Sequence, residues 1–406
     1  PLPALAALDT LDSGVVDETL LALSPESLLI GCLRGRWDPA AWDIARSGMP
    51  ASAPEWELWA RSAVRAGVAP LLATVLRYHP EVPVAVIAAW RRYYVWHLRR
   101  NSGSLRELAR LLRALHDAGI STLLLKGAAL GVAVYGNVGL RPMGDIDLLV
   151  QREDAARALA LLETLDYAVV GAETRPGATL EYENEVALMH TRKPELAVVE
   201  LHWGLLDSPH YQRTLDMDWF WRTAQPLAFE GASTLMLGPE AQLLHLCAHL
   251  MLHHGGASGH LQWYHDIAEV LVAYRDALDW EALLASAAAN DLVLPLQRVL
   301  PVVWDCWQLE PPVGVRAALA ALQASAKEAQ LFGQLTVPAR PVAQRFFTDL
   351  ASMPGWRQRW AYAWENIFPA PAYMRDRYRV AHPLLLPFAY LWRWVRGLAS
   401  ILGRRG

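Results

Sequence analysis

The chain has 406 residues, 53% of them apolar and 19% charged, with 26 glycines and 26 prolines. That balance excludes a disordered, collagenous or coiled-coil polypeptide, and the length can bury one large core or two modest ones. Forty-one acidic against 37 basic residues leave a net charge of −4, so no global field recruits nucleic acid, although a local basic groove is compatible with it.

Three cysteines, Cys32, Cys247 and Cys306, lie far apart and in no CxxC pair. Neither a disulfide framework nor a cysteine zinc site is encoded, and a reducing, cytoplasmic compartment fits best. Residues 1–11 lack the basic and long apolar regions of a signal peptide. Nothing in the first 380 residues offers the roughly 18 uninterrupted apolar residues of a membrane span.

From residue 17 to 118 the sequence reads as helices separated by Pro- and Gly-bearing turns. The last is expected to open on a capping box of Ser104 and Glu107, to carry a stripe of Leu105, Leu108, Leu111, Leu112 and Leu115, and to stop at Gly119. Ser121–Leu125 is too short for a helix and is bounded by glycines, which predicts a buried strand. Residues 128–135 read as helix, 136–144 as a Gly/Pro loop, 145–150 as a strand and Glu153–Leu165 as a helix.

Three more strands are expected at Tyr167–Val170, Glu185–His190 and Ala197–Trp203, the last with two-residue alternation. Helices then return at Glu240–His254, Gln262–Tyr274, Trp280–Asn290 and Leu292–Trp304. The fold class is therefore α+β, organised as an N-terminal helical region (1–103), a small mixed-sheet core (104–235) and a C-terminal helical domain (236–406). The apolar tail, 384–402, is broken by Pro387, Arg393 and Arg396. It suits an amphipathic helix resting on the protein's own core, a partner or a membrane surface rather than a span.

The chemistry concentrates in Lys126-Gly127-Ala128, Arg141, Asp145-Ile146-Asp147 and Glu200. Two acids two apart on a strand project from one face and repel unless cations lie between them. Hard oxygen ligands held together suit Mg²⁺ with substrate phosphates. Glu200 shares a face with Val198 and His202, while Val199, Leu201 and Trp203 face the other way, towards helices. If the two strands are neighbours, three carboxylates converge, a set that holds two metal ions for in-line displacement. Gly127 before a helix lets backbone N–H groups approach a phosphate, and Lys126 and Arg141 are natural phosphate clamps. His202 is placed to orient a carboxylate or touch substrate.

His245, His249 and His253 recur at four-residue spacing on one expected helix, with His254, His260 and His265 nearby. No HExxH accompanies them and the helix is otherwise apolar, so they read as packing or as a polar wall of the cleft rather than as zinc ligands. The 18 tryptophans are not interleaved with basic residues and read as core and interface packing.

These motifs resemble the DNA polymerase beta-like nucleotidyltransferase superfamily, with its glycine turn, acid-x-acid strand and third acid. The closer likeness is to the bacterial nucleotidyltransferase family proteins, largely uncharacterised and often encoded beside biosynthetic genes. The pattern is carried here by Lys126-Gly127-Ala128, Arg141, Asp145-Ile146-Asp147 and Glu200-Leu201-His202-Trp203. Ala128 stands where the wider superfamily commonly has serine, and Glu200 where an aspartate is common. The resemblance implies Mg²⁺-dependent transfer of a nucleoside monophosphate from an NTP such as ATP, with pyrophosphate released. Asp145 and Asp147 would ligate metal, and Glu200 would ligate metal or act as base. It further implies a small-molecule or peptide acceptor, with protein or tRNA modification and a non-catalytic nucleotide-binding scaffold as the alternatives. Asp266, in His265-Asp266-Ile267, belongs to the same likeness and is expected on the nucleoside or acceptor side.

Overall fold

Seven strands among the described residues build one mixed sheet: β1 (Thr122–Leu124), β2 (Asp145–Val150), β3 (Tyr167–Val169), β4 (Glu185–His190), β5 (Val198–His202), β6 (Gln225–Phe229) and β7 (Ala232–Met236). Their spatial order is β3-β4-β5-β2-β1-β7-β6. The computed structural model describes residues 25–175, 177–255, 261–337, 342–353 and 355–402; the readings of 1–11, 17–24 and His260 lie outside that set. Helices precede and follow the sheet, so the class is α+β as expected.

Two neighbours of β2 decide where its acids go. It runs antiparallel to β1 and parallel to β5, and the parallel register sets Asp147 opposite Glu200 and Leu149 opposite His202. On the next strand outward, Glu185 of β4 is registered with His202. Because side chains alternate, every odd position of β2 shares its face with the even positions of β5.

The opposite face of the sheet is apolar. Ile146, Leu148, Val150, Val186, Leu188, Val199, Leu201 and Trp203 pack there against Leu105, Leu108, Leu111, Leu112 and Leu115 and against Ala155, Ala158 and Leu162. The expected side for Val199, Leu201 and Trp203 is thus the observed one. A second apolar cluster joins N-terminal residues such as Leu29, Trp59 and Leu72 to Leu243, Leu244, Val299 and Trp304, and it includes Leu123, Leu125 and Leu149. The acid-bearing face of the sheet therefore abuts the helices that follow the core in sequence.

The capping box is a correction. Ser104 and Glu107 lie inside a continuous 34-residue helix, Val84–Asp117. The helix runs through Ser102 and Gly103, a weak helix former whose cost of about 1 kcal/mol does not stop it, so the motif has no terminus to cap. Ser104 instead accepts a hydrogen bond from the Ala197 amide at 3.0 Å, and Lys193 reaches Glu107 at 3.2 Å, so both residues tie the long helix to the β4–β5 connection. The helix does end as expected, at Gly119 with φ +70°. Residues 225–236, unassigned in the sequence reading, form a hairpin. Glu230 and Gly231 sit at its turn with φ +47° and +68°, the two left-handed residues of a tight turn that matches strand twist.

The long helix also carries a buried imidazole. His97 is 4% exposed, and burial, then the charge of Arg100, pushes its pKa down to about 4 from 6.5. It is neutral in the fold and protonates at higher pH once unfolded, so the folded state loses stability as pH falls below 6.5. The loss relative to a His97→Phe variant is expected to reach about 3 kcal/mol by pH 4, measurable as diverging urea midpoints. Parallel midpoints across that range would contradict it.

At the C-terminal end, Leu386–Leu402 is helical. Arg393 and Trp394 donate to the carbonyls of Asn366 and Ile367, while Phe388, Leu391, Trp392 and Leu398 are exposed. Among the described residues no helix is long and apolar enough to cross a membrane.

Candidate active site

The turn after β1 is the first working part. The Leu125 amide still bonds to the Asp147 carbonyl at 3.0 Å, and Lys126 then takes a left-handed backbone, φ +43°, before the helix Lys126–Ala133. A left-handed lysine is uncommon and marks a position held by its surroundings. Here it folds the side chain back over β2, with Nζ 2.7 Å from Asp147 Oδ1. Burial alone would lower the Lys126 pKa; the charge and hydrogen bond of Asp147, with Glu185 and Glu200 beyond, raise it.

His202 is the second cation. It is fully enclosed, with Nε2 3.1 Å from Asp147 Oδ1 and 3.7 Å from Glu200 Oε2, and Nδ1 3.0 Å from Glu185 Oε2. Burial opposes its charge, but the bonds to Asp147 and Glu200 and the Asp147 charge outweigh burial and raise its pKa to about 9. Asp147 is correspondingly held well below the usual carboxylate range: burial works against ionisation and is overcome by Lys126 and His202. The Asp145 carboxyl is raised by burial and by the neighbouring Asp147 and Glu200 charges, and Glu185 is raised chiefly by burial.

The structure thus brings Asp147, Glu200 and His202 together, their ligand atoms within 4.8 Å of one another. Asp145 stands outside that tight group, exposed at the start of β2, on the same face. Four carboxylates (Asp145, Asp147, Glu185 and Glu200) face two cations, Lys126 and His202. Two negative charges are left over on hard oxygen donors, and that deficit is one a divalent cation matches. The donor set and the charge balance therefore fit Mg²⁺.

Arg141 is not where a phosphate clamp would be. It is 7% exposed, with Nε 2.9 Å and Nη2 2.7 Å from the two Asp266 oxygens and Nη1 3.2 Å from the Pro142 carbonyl. Tyr135 donates to the same Asp266 carboxylate at 2.8 Å. Asp266 is buried deeper still, at 1% exposure, so it anchors this arginine rather than shaping a nucleoside or acceptor pocket. The loop before Asp145 is pinned on its other side too: Asn101 Nδ2 donates to the Val138 and Arg141 carbonyls, Arg100 to Gly144, and Gln262 to Pro142. Arg100, Asn101 and Gln262 went unread in the sequence, since a side chain that bonds a distant carbonyl leaves no local pattern.

Gly127 has a steric reason rather than a conformational one. A Cβ there would lie 2.2 Å from Arg141 Nη1 and 3.3 Å from Met143 Cγ. Arg141 cannot withdraw without uncoupling from Asp266, so Gly127→Ala is expected to cost about 2 kcal/mol, in the range of overpacked cores, by chemical denaturation. A change under about 0.5 kcal/mol, the size of a neutral surface substitution, would show the guanidinium to be mobile.

Glu185 was also missed. Its strand was recognised, but only the β4–β5 register shows that it meets His202. Beyond β5, Asp207 Oδ2 lies 2.8 Å from His253 Nδ1. His245 is buried, and burial followed by the Lys126 charge pushes its pKa down to about 3, in keeping with a wall beside the cations of the site.

No functionally curated protein matches the chain significantly. Among solved structures, an antigenic nucleotidyltransferase-like protein from Paracoccidioides brasiliensis is similar at 18% identity and a TM-score of 0.33, covering 52% of this chain and 94% of that one. The family described as "Uncharacterised nucleotidyltransferase" matches residues 52–307, a stretch that holds the Lys126 turn, the Asp145–Asp147 strand, Glu200 and the Asp266 anchor. The chain belongs to that nucleotidyltransferase family.

Proposed function

We propose that this nucleotidyltransferase, as a branch of the DNA polymerase beta-like superfamily, moves a nucleoside monophosphate from an NTP to a small-molecule or peptide acceptor. The observation that carries the reading is the parallel β2–β5 register, which puts Glu200 directly beside Asp147 on the face that also bears Asp145. An acceptor oxygen bonds to the α-phosphorus, the bond to the bridging oxygen of the β-phosphate breaks, and pyrophosphate leaves with the electron pair. The acceptor's proton passes to Glu200, whose nearest cation is His202 at 3.7 Å, whereas Asp147 is held by two.

Asp145, Asp147 and Glu200 would hold Mg²⁺. Bound there, the metal would neutralise phosphate charge and acidify the attacking group. Lys126, at the N-terminus of the helix Lys126–Ala133, supports the triphosphate together with the Gly127 and Ala128 amides. His202 and Glu185 hold Asp147 ionised and aimed. Arg141, through Asp266, fixes the loop that delivers Asp145. Positioning and charge neutralisation supply most of the rate, because phosphoryl-type transfer needs little covalent work from the protein.

The test is incubation of the protein with each NTP and Mg²⁺, with and without candidate acceptors, following pyrophosphate release and the mass of protein and acceptor. Pyrophosphate formed in step with an acceptor gaining a nucleotide supports the reading. Labelling of the protein itself or of added tRNA would move the acceptor to the macromolecular class. NTP binding without pyrophosphate from any acceptor would identify a non-catalytic scaffold.

A further inference from the structure

The helix Pro239–Ala248 does not continue as an α-helix. Residues His249–His253 form a π-helical turn, with His254 as its C-cap. Such turns are rare, and they concentrate at functional sites. The consequence for the histidines is geometric. In an α-helix of 3.6 residues per turn, His254 would point roughly 140° away from His249 and only His253 would share its face. In the wider i→i+5 turn, His253 and His254 fall roughly 30° to one side of His249 and 50° to the other.

The rings accordingly form a triangle. Centroids are 5.0 Å apart for His249 and His253, 4.7 Å for His249 and His254, and 4.6 Å for His253 and His254. One ring nitrogen from each lies within 4.8 Å of the other two. The sequence grouping of His245, His249 and His253, which assumed an unbroken α-helix, is replaced by His249, His253 and His254.

Two further contacts set the rings. Asp207 Oδ2 accepts from His253 Nδ1 at 2.8 Å, so Nε2 of His253 is the nitrogen left for a ligand, as in carboxylate–histidine–metal arrangements. His254 stacks on Trp263, centroids 3.9 Å apart at 29°. Three imidazoles with no cysteine and no second carboxylate in the group form a nitrogen donor set of the zinc class, unlike the hard-oxygen set on β2 and β5.

We infer that His249, His253 and His254 form a binding site for a divalent transition-metal ion of the zinc class, with Asp207 as the carboxylate that orients His253. Tetrahedral ligation at about 2.1 Å would draw the nitrogens closer by up to about 1.4 Å, within reach of ring rotation. Asp207 follows β5 by five residues, so the ion would staple the exit of the catalytic strand to the histidine turn. The site is separate from the Mg²⁺ set and stands or falls independently of the proposed transfer.

The test uses the full-length protein stripped by chelator and titrated with ZnCl₂ by calorimetry, and with Co²⁺ followed by visible absorption. One equivalent of zinc bound at micromolar affinity or better, and a tetrahedral Co²⁺ spectrum, are expected. His253→Ala, at an exposed position, should weaken zinc at least 100-fold, and Asp207→Asn 10–100-fold. Asp145→Asn with Asp147→Asn should leave zinc binding unchanged. X-ray absorption at the zinc edge of the wild-type protein, counting three imidazoles, gives the same answer without any variant. Absence of stoichiometric zinc, fewer than three imidazoles at the ion, or zinc lost with the aspartates but kept without His253 would overturn the inference.

Discussion

Asp147→Asn is expected to lower nucleotidyl transfer by about three orders of magnitude, with some loss of stability because Lys126 and His202 lose their shared buried counter-ion. The substitution keeps the shape of the side chain and removes the one charge that both Lys126 and His202 grip. On the proposed role of Asp147 as a metal ligand, its loss removes several kcal/mol of charge stabilisation, and about 4 kcal/mol corresponds to a fall of about 10³-fold in rate. Glu200→Gln should show a comparable loss, and Glu185→Gln a smaller one, because Glu185 acts on the site through His202. Steady-state pyrophosphate release checks all three, with circular dichroism reporting the fold. A transfer rate untouched by Asp147→Asn would mean that the chemistry lies elsewhere.

Arg141→Met should be the most damaging change to stability. Among the described residues it leaves Asp266, 1% exposed, with the Tyr135 hydroxyl as its remaining hydrogen-bond partner. Stranding a buried charge in this way costs about 3–5 kcal/mol, while replacing both partners of a buried pair by apolar groups is often close to neutral. Arg141→Met with Asp266→Leu should therefore regain a large part of the loss in urea unfolding. If the double variant is no more stable than the single one, the pair is not the source of the effect. Metal affinity should fall in both variants, since the loop that delivers Asp145 loses its anchor.

Much of the site was legible because its residues are local in sequence. The glycine turn, Asp145-Ile146-Asp147 and the alternation around Glu200 each declare themselves within a few positions. Strand β4 and the Asp145–Val150 strand matched their sequence limits for the same reason. What stayed hidden depends on register or distance. Glu185 becomes a site residue only when β4 pairs with β5, and Arg141 changes from phosphate ligand to buried anchor only when Asp266 arrives from 125 residues away.

The remaining misses are of other kinds. The Ser104/Glu107 motif is a true helix-start pattern, preceded even by Gly103, and is overridden because a 34-residue helix gains more from packing its leucine stripe than from a cap. The β6–β7 hairpin did carry a readable signal, a two-residue Glu-Gly turn between alternating segments, and it went unread. The π-turn has no signature in residue type at all. It shows only in that His249, His253 and His254 cannot all share one α-helical face.

The most direct test of the central claim is anomalous diffraction from crystals of the wild-type protein soaked with Mn²⁺ and a non-hydrolysable NTP. The account predicts a manganese peak bounded by carboxylate oxygens of Asp145, Asp147 and Glu200, with the triphosphate reaching the Lys126 turn. Manganese bound away from β2 and β5, with Lys126 still closed on Asp147 and no nucleotide beside it, would contradict it.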